Sequence, residues 1–351
     1  MRRAGVVGTG LIGGSIGLAL RRRGWHVTGD DRDPDVAARA FALGALDVVG
    51  TDPDADVTFL ATPVRAVADA AKQALATSPG TVTDVGSVKA SIVQAVGDSR
   101  FIGGHPMAGS EQEGIDGADA DLFVGAVWVL TPTADTDDRA LTTLREVIAE
   151  LGADVVSLAP DHHDALVAVV SHVPHLTAAS LMRMADDRAT EHRALLRLAA
   201  GGFRDMTRIA SGHPGIWPDI CAENRTAIVD VLDGLLASLT EVRAIVADDD
   251  RDGLLSVLEQ ARRARANLPS RVTSPGDLSE VRVPVPDRAG VLAEVTTLAG
   301  TLDVNISDLE IAHSSEGEQG VLILLVEASA AERLRVALVA QGFRPSVTPL
   351  E

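Results

Sequence analysis

The sequence is poor in cysteine and has far fewer basic than acidic residues. With one cysteine, Cys221, the 351-residue chain can form no internal disulfide, which is typical of proteins in a reducing cytoplasm. The formal net charge of −19 argues against a general binder of nucleic acids or anionic membranes. No apolar run approaches the ~20 residues of a membrane span, and no signal-peptide core opens the chain. These absences predict a soluble, cytoplasmic protein.

The length and patterning of the chain predict three domains. Residues 1–159 alternate short apolar stretches with amphipathic ones, which predicts an α/β fold with a doubly wound, parallel, Rossmann-type sheet. Residues 160–268 show only helical periodicity and predict an all-helical domain. After a linker rich in proline and serine, residues 279–351 have the order βαββαβ, which predicts a small ferredoxin-like module.

A nucleotide site is predicted at the start of the chain, where a short apolar strand leads into a glycine-rich turn and a helix. Residues 8–14 have the G-x-G-x-x-G pattern of dinucleotide-binding folds. Asp31 follows the second strand, where a carboxylate can accept from the adenosine ribose 2′-OH and repel a 2′-phosphate. Arg32 could pair with that phosphate, so NADP is the alternative to the expected cofactor, NAD. Besides Asp31, the expected cofactor-binding residues are Gly8, Gly10, Leu11, Ile12, Gly13 and Thr62.

His105 is the strongest candidate for a catalytic residue. It follows a predicted strand at the carboxyl edge of the sheet, where ligands of such folds bind. A histidine can take a proton from an alcohol near neutral pH, as hydride abstraction from the same carbon requires. Ser87 ends the preceding strand and could hydrogen-bond the substrate or His105. The alternative for His105 is a loop histidine that caps a strand.

Further candidates lie in the helical region. An arginine facing the cleft would bind a substrate carboxylate through two hydrogen bonds; Arg208 is expected in that role and Arg204 on the surface. No carboxylate or cysteine completes a recognised zinc spacing, so we expect no metal there. Pocket lining or helix packing is expected instead for the neighbouring histidines His162, His163, His172 and His175.

Several motifs, taken in order, resemble those of the prephenate/arogenate dehydrogenase family of tyrosine biosynthesis. The resemblance covers residues 1 to about 268. The tail, with residues 287–292 and Asn305, resembles an ACT domain, a regulatory module for small molecules. The motifs are Gly8–Gly14, Gly86–Lys89 (GSVK), His105–Glu111 (HPMAGSE), Ser171–His175 (SHVPH) and Phe203–Ala210 (FRDMTRIA).

The resemblance implies an NAD-dependent enzyme that converts prephenate to 4-hydroxyphenylpyruvate by oxidation and decarboxylation. It implies that His105 is the catalytic base, that Ser87 orients substrate and histidine, and that Arg208 holds a substrate carboxylate. Four further residues are implied around the substrate pocket: Glu111, His175, Asp205 and Trp217.

Two expectations concern assembly and regulation. The small C-terminal units of two chains could pair to hide their sheet edges, which predicts a homodimer. A missing Cβ at Gly290 would let a ligand approach the helix start, and the amide of Asn305 could hold an amino acid. An aromatic amino acid is therefore the expected effector, and dimerisation alone is the alternative for this module.

Three other functions remain open. Arogenate dehydrogenase would carry out the same chemistry on a substrate with an amino group on its side chain. A β-hydroxyacid dehydrogenase would share the nucleotide domain, but the start of the helical region shows no obvious catalytic lysine for it. A non-catalytic regulator that binds NAD and an amino acid is the alternative from another class, and the intact His105 and Arg208 argue against it.

Overall fold

The computed structural model describes residues 1–110, 112–189, 195–267, 278–286, 288, 290–313 and 319–349. The chain divides into two compact units. The first contains residues 1–191 and 207–239, and the second contains residues 192–206 and 240–351. An eight-stranded sheet lies in the first unit and a four-stranded sheet in the second.

The sheet of the first unit has the Rossmann-type arrangement that the sequence predicts. Its strand order is β3-β2-β1-β4-β5-β6-β7-β8, so the order reverses between β1 and β4, beside the glycine-rich turn. The central strands are buried along their whole length, as in a parallel sheet covered on both faces. The strands are β1 (Arg3–Val7), β2 (His26–Asp30), β3 (Val48–Val49), β4 (Val57–Leu60), β5 (Thr81–Asp84), β6 (Phe101–Pro106), β7 (Val127–Thr131) and β8 (Asp154–Ser157).

One edge of this sheet differs from the predicted parallel arrangement. Strand β7 pairs antiparallel with β6, and β8 then pairs parallel with β7. A parallel neighbour needs a crossover connection, usually a helix. The described part of the β6–β7 connection contains only a 3₁₀ turn, Ile115–Gly117. The prediction of a parallel sheet is therefore confirmed for β1, β2, β4, β5 and β6 but was wrong for β7 and β8, which both run opposite to the other strands.

Helices pack on both faces of the sheet. Neighbouring residues of β4 point to opposite faces: Phe59 joins a core cluster with α1 and α5, and Leu60 joins a second cluster with α3. Asp33 and Asp137 cap the starts of α2 and α5 with side-chain hydrogen bonds to backbone N–H groups. The helices are α1 (Leu11–Arg22), α2 (Pro34–Ala42), α3 (Val64–Thr77), α4 (Ala90–Val96) and α5 (Asp138–Glu150).

After β8 the chain is helical, as predicted, through the described residues up to 267. Helix α6 (Pro160–Val167) continues through a π-helical turn, Ala168–His172, into α7 (Val173–Ala189). Pro174, which has no N–H to donate, is the second residue after this turn, and π turns are a common accommodation of such breaks. The later helices are α8 (Gly201–Thr207), α9 (Trp217–Glu223), α10 (Arg225–Ala247) and α11 (Arg251–Ala266).

The stretch 160–189 is long and apolar enough, by length and composition, to cross a membrane. The sequence pattern alone had not indicated such a stretch. It nevertheless carries three buried polar side chains that hydrogen-bond inside the first unit, His163, Asp164 and His172. A helix with such internal partners is expected in the core of a folded domain.

The sheet of the second unit is small and antiparallel, with strand order β10-β11-β9-β12. Its core is aliphatic and includes Val281, Leu324 and Leu338. The element order strand–helix–strand–strand–helix–strand agrees with the pattern read from the sequence. The elements are β9 (Leu278–Pro286), α12 (Val291–Thr301), β10 (Ile306–His313), β11 (Gln319–Glu327), α13 (Ala328–Ala340) and β12 (Ser346–Pro349).

Candidate active site

The glycine-rich turn between β1 and α1 is shaped for close approach of a phosphate. Gly8 has a φ of +88°, and a Cβ there would lie 2.5 Å from the carbonyl oxygen of Ala61. A Cβ on Gly13 would lie 1.9 Å from the carbonyl oxygen of Gly8, so only glycine fits at both positions. Beside Gly10 there is open space, and no side chain caps the helix that begins at Leu11. The free N–H groups of this first turn can therefore bind a pyrophosphate.

Asp31 and Thr62 lie at the same edge of the sheet as this turn. Asp31 accepts hydrogen bonds from the N–H of Thr9 at 2.8 Å and the N–H of Asp33 at 3.0 Å. Its carboxylate thus fastens the glycine-rich turn and has further lone pairs for a ribose hydroxyl. The Oγ1 of Thr62 is buried without a hydrogen-bond partner, as expected for a hydroxyl that meets a ligand. These residues fit NAD.

His105 lies inside β6, where the sequence had placed it after the strand. Its side chain is buried, with only 9 % of the residue exposed. The Nδ1 of His105 lies 2.9 Å from Nε2 of His163, and the Nδ1 of His163 lies 2.8 Å from Oδ1 of Asp164. Burial, followed by the positive charge of Lys89, lowers the pKa of His105 well below 6.5. The ring is therefore neutral at neutral pH and can accept a proton.

A buried ion pair lies behind His105. Lys89 Nζ donates to the carboxylate of Asp84 and, at 2.8 Å, to the carbonyl oxygen of Gly104. The Asp84 carboxylate also accepts the N–H of Gly104 at 3.1 Å and the N–H of Gly86 at 2.9 Å. Both charged side chains are fully buried. The pair therefore holds the backbone of Gly104, the residue that directly precedes the candidate base.

The helical part of the first unit supplies the other wall of the cluster. Asn224 Nδ2 donates to the carbonyl oxygen of Asp164 at 2.8 Å and lies 3.2 Å from Nδ1 of His172. Burial lowers the pKa of His172 to about 4, so this histidine stays neutral. The ring of Trp217 stacks on His175 with centroids 3.7 Å apart and meets His172 edge-on. A flat aromatic platform thus lies beside the buried polar network.

Of the remaining predicted residues, Ser87 and Arg208 lie in the first unit and Asp205 lies in the second. Ser87 lies beyond β5 at the same carboxyl edge as His105, but these two described side chains make no hydrogen bond to each other. Arg208 is exposed in a 3₁₀ turn that packs against α7, the helix of His175. Asp205 is exposed in the second unit, and Glu111 lies outside the described residues.

The two residues predicted for an effector both lie in the second unit. Gly290 begins α12 with a φ of +89°, and a Cβ there would meet open space. A cavity beside it is lined by Glu294, Thr297 and Phe343. Asn305 is exposed just before β10. In the ranges that the structure describes, no group of three or more histidine, cysteine or acidic side chains could hold a metal ion.

From the sequence, no role was assigned to four residues that build the site, Asp84, Lys89, Asp164 and Asn224, and only pocket lining or helix packing was expected for a fifth, His163. A signal existed for Asp84, because a carboxylate that ends an otherwise apolar, buried strand needs a partner. A weaker one existed for the pair of residues 163–164, where an acid directly follows a histidine. For Asn224, whose partners are more than 50 residues away in sequence, no local signal exists.

Two family models match the chain. One, described as prephenate dehydrogenase, nucleotide-binding domain, matches residues 16–157, and the other, described as prephenate dehydrogenase, dimerization domain, matches residues 159–260. A prephenate dehydrogenase of Bacillus subtilis is 34 % identical over 334 residues, covering 90 % of this chain and 90 % of the relative. A cyclohexadienyl dehydrogenase of Zymomonas mobilis is 34 % identical, covering 75 % of this chain and 94 % of the relative.

Solved structures agree with these sequence matches. The Aquifex aeolicus prephenate dehydrogenase in complex with hydroxyphenyl propionate and NAD+ superposes with a TM-score of 0.72 at 32 % identity, covering 77 % of this chain and 99 % of that one. The Synechocystis arogenate dehydrogenase gives a TM-score of 0.68 at 34 % identity, covering 75 % and 98 %. The fold and site define an NAD-dependent dehydrogenase. The chain belongs to the prephenate dehydrogenase family, and the resemblance found in its sequence is confirmed.

Proposed function

We propose that this chain oxidises prephenate with NAD+ and releases carbon dioxide, giving 4-hydroxyphenylpyruvate. The observation that carries the proposal is the neutral, buried His105 at the sheet edge that also presents the glycine-rich turn. When bound, NAD+ supplies the acceptor for the hydride. Its proposed binding residues are Gly8, Gly10, Leu11, Ile12, Gly13, Asp31 and Thr62.

His105 is the proposed base of this reaction. It accepts the proton of the C4 hydroxyl as hydride leaves C4, and the ring carboxylate then leaves as carbon dioxide because its loss makes the ring aromatic. The driving force lies in the substrate, so the protein's part is to position it and to accept the proton. Ser87, near His105 at the carboxyl edge of the sheet, is proposed to orient the substrate hydroxyl.

The remaining proposed contacts hold the substrate. Arg208, next to the helix of His175, is proposed to bind a carboxylate, because a guanidinium can do so through two parallel hydrogen bonds. The stacked rings of His175 and Trp217 offer a flat surface against which a six-membered ring can pack. By the family resemblance, Glu111 and Asp205 are also proposed to be substrate-binding residues.

The test is NADH formation by the purified full-length chain with prephenate and with arogenate, side by side. We expect a higher kcat/KM with prephenate. With NADP+ in place of NAD+, we expect kcat/KM to fall about tenfold or more, because Asp31 repels a 2′-phosphate. Absence of NADH formation with both substrates would refute the proposal. Preference for arogenate would establish the second candidate, which the similar Synechocystis arogenate dehydrogenase favours.

We further propose a cytoplasmic homodimer built of three domains, residues 1–159, 160–268 and 279–351. The family model described as a dimerization domain supports pairing through the helical region. Large apolar side chains exposed on its helices, among them Val229 and Leu239 of α10, supply surface that a partner could cover. A single cysteine, without a disulfide, agrees with a reducing compartment.

The C-terminal module is proposed to be an ACT domain of ferredoxin-like fold that binds an aromatic amino acid, tyrosine or phenylalanine. Its element order and its antiparallel strand order support the fold. The open space at Gly290 and the neighbouring cavity support a ligand at the start of α12, with Asn305 as a candidate partner.

Removing residues 279–351 is expected to leave turnover within about twofold of the full chain and to abolish any response to tyrosine, since coupling needs the effector site. Initial rates over a tyrosine titration measure the response. In the full-length chain, Asn305→Ala should weaken the response while preserving basal turnover. If no aromatic amino acid changes the rate or binds in calorimetry, the regulatory role is lost and the catalytic proposal stands.

A further inference from the structure

A hydrogen-bond chain runs from His105 through His163 to Asp164. The contacts of Asp164 determine which atom donates and which accepts along it. The Asp164 carboxylate accepts the backbone N–H of Lys89 at 2.8 Å and that of Ala90 at 2.9 Å. The same carboxylate lies 2.8 Å from Nδ1 of His163. An ionised carboxylate has no proton to donate and can only accept hydrogen bonds. The third contact must therefore be a donor, so His163 carries a proton on Nδ1.

This proton fixes the state of the next ring. A neutral imidazole with its proton on Nδ1 has a bare Nε2, which can only accept a hydrogen bond. The Nε2 of His163 lies 2.9 Å from Nδ1 of His105, and two bare nitrogens could not stay in such contact. With a neutral His163, His105 must donate from Nδ1, and its Nε2 is left unprotonated. This is the nitrogen that can accept a proton from a substrate.

The charges around His105 show how the hydrogen-bond chain could affect the reaction. Lys89, in the connection after β5, is positive and opposes a second positive charge on His105. Lys89 is itself paired with Asp84, the last residue of β5. His172, in the π-helical turn, is neutral. In the described hydrogen bonds, Asp164 contacts His163, and His163 contacts His105. An imidazolium formed at His105 would therefore be stabilised by sharing its charge along the hydrogen-bond chain through His163 to Asp164.

We propose that His163 and Asp164 are positioning residues that hold His105 as its Nδ1–H tautomer and stabilise the imidazolium formed when Nε2 takes the substrate proton. In the step, the substrate O–H bond breaks and an N–H bond forms at Nε2 of His105. The C4–H bond breaks as the carbonyl forms at C4, and NAD+, when bound, would supply the acceptor for that hydride. The proton on Nδ1 of His105 is partly shared with Nε2 of His163, and the negative carboxylate of Asp164 stabilises the resulting positive charge.

The proposal has two parts with different dependence on the function. The tautomer of His105 is a property of the chain without substrate. The stabilisation of the imidazolium rests on the proposed oxidation of prephenate. A purely structural role for His163, which is fully buried, would instead affect stability without altering the protonation behaviour of His105.

The test compares two substitutions of His163 with one of its exposed neighbour. In His163→Met, the thioether sulfur is only a weak acceptor for the Nδ1–H of His105, and we expect kcat to fall on the order of 10²-fold with KM values little changed. In His163→Gln, the side-chain oxygen can still accept that hydrogen bond but cannot share the proton, so an intermediate loss is expected. His162→Gln is the matched control, because His162 is exposed and should keep the parent kcat.

Two readouts separate positioning from packing. The pH profile of kcat should shift in His163→Met, because the imidazolium of His105 loses its partner. Side-chain ¹⁵N NMR of the unsubstituted chain should show a histidine with its proton on Nδ1 and an unprotonated Nε2 that is assigned to His105 because it is lost in His105→Gln; His163 should give a second such signal, lost in His163→Met. A proton on Nε2 of His105, or an unchanged kcat and pH profile in both His163 variants, would overturn the proposal. If the parent chain turns over no prephenate, the proposed function fails while the NMR result still decides the tautomer.

Discussion

Replacing His105 with alanine is expected to lower kcat on the order of 10²–10⁴-fold, the usual effect of losing an acid–base group. The affinity for NAD should stay nearly intact, because the proposed cofactor contacts, at the glycine-rich turn and Asp31, do not include this side chain. Steady-state rates with prephenate measure the first effect, and calorimetric titration with NAD measures the second. His162→Ala, at an exposed histidine, is the matched control.

The pH dependence of the unsubstituted chain checks the same assignment. A general base works only when unprotonated, so kcat is present above the pKa of His105 and lost below it. Because burial and Lys89 lower that pKa well below 6.5, kcat should stay level through pH 6.5 and fall only at lower pH. This revises the expectation from an unperturbed histidine, whose pKa lies near 6.5. Near-normal turnover in His105→Ala would contradict the mechanism.

The sequence indicated the parts of the site that depend on local patterns. Glycines at fixed spacing after an apolar strand predicted the turn that the structure shows. At the position of Gly13, the Cβ of any larger residue would clash with the backbone. His105 was found because it follows an apolar stretch at the edge where ligands of such folds bind. Patterns of this kind are local, and a single sequence displays them directly.

Contacts between distant segments could not be predicted in this way. His163 and His105 are 58 residues apart, and helical periodicity does not say which turn of a helix meets which strand. His163 was therefore assigned to pocket lining or helix packing along with its neighbours, and Asp164 received no role. The reversal of β7 was missed for a related reason. Alternating strands and helices favour a parallel sheet, but the short 3₁₀ turn before β7 carries no strong pattern.

The buried pair of Asp84 and Lys89 connects the stability of the fold with the geometry of the site. Burial lowers the pKa of Lys89, and the carboxylates of Asp84 and Asp164 oppose that shift. The pair holds both peptide groups of Gly104, while the backbone N–H of Lys89 holds the carboxylate of Asp164. Residues 84–89 thus position His105 in two ways. They hold the backbone of Gly104, which precedes His105, and they hold the carboxylate of Asp164 at the other end of the hydrogen-bond chain.

Lys89→Met is therefore expected to lower the free energy of unfolding by about 3–5 kcal/mol, the cost of leaving one member of a buried ion pair without its partner. Urea unfolding followed by circular dichroism measures the change. The chain contains only two lysines, and Lys72→Met is the matched control, because Lys72 is exposed on α3 and should change stability by less than about 0.5 kcal/mol.

A second substitution separates the unpaired charge from lost packing. Adding Asp84→Asn to Lys89→Met removes the stranded carboxylate and should recover part of the lost stability. The recovery is expected to be incomplete. The Asp84 carboxylate accepts hydrogen bonds from two backbone N–H groups, and the NH₂ group of an asparagine would face one of these donors without being able to accept from it. A loss below about 1 kcal/mol in Lys89→Met would show that the ion pair is not what stabilises this segment, since removing one buried partner costs several times more.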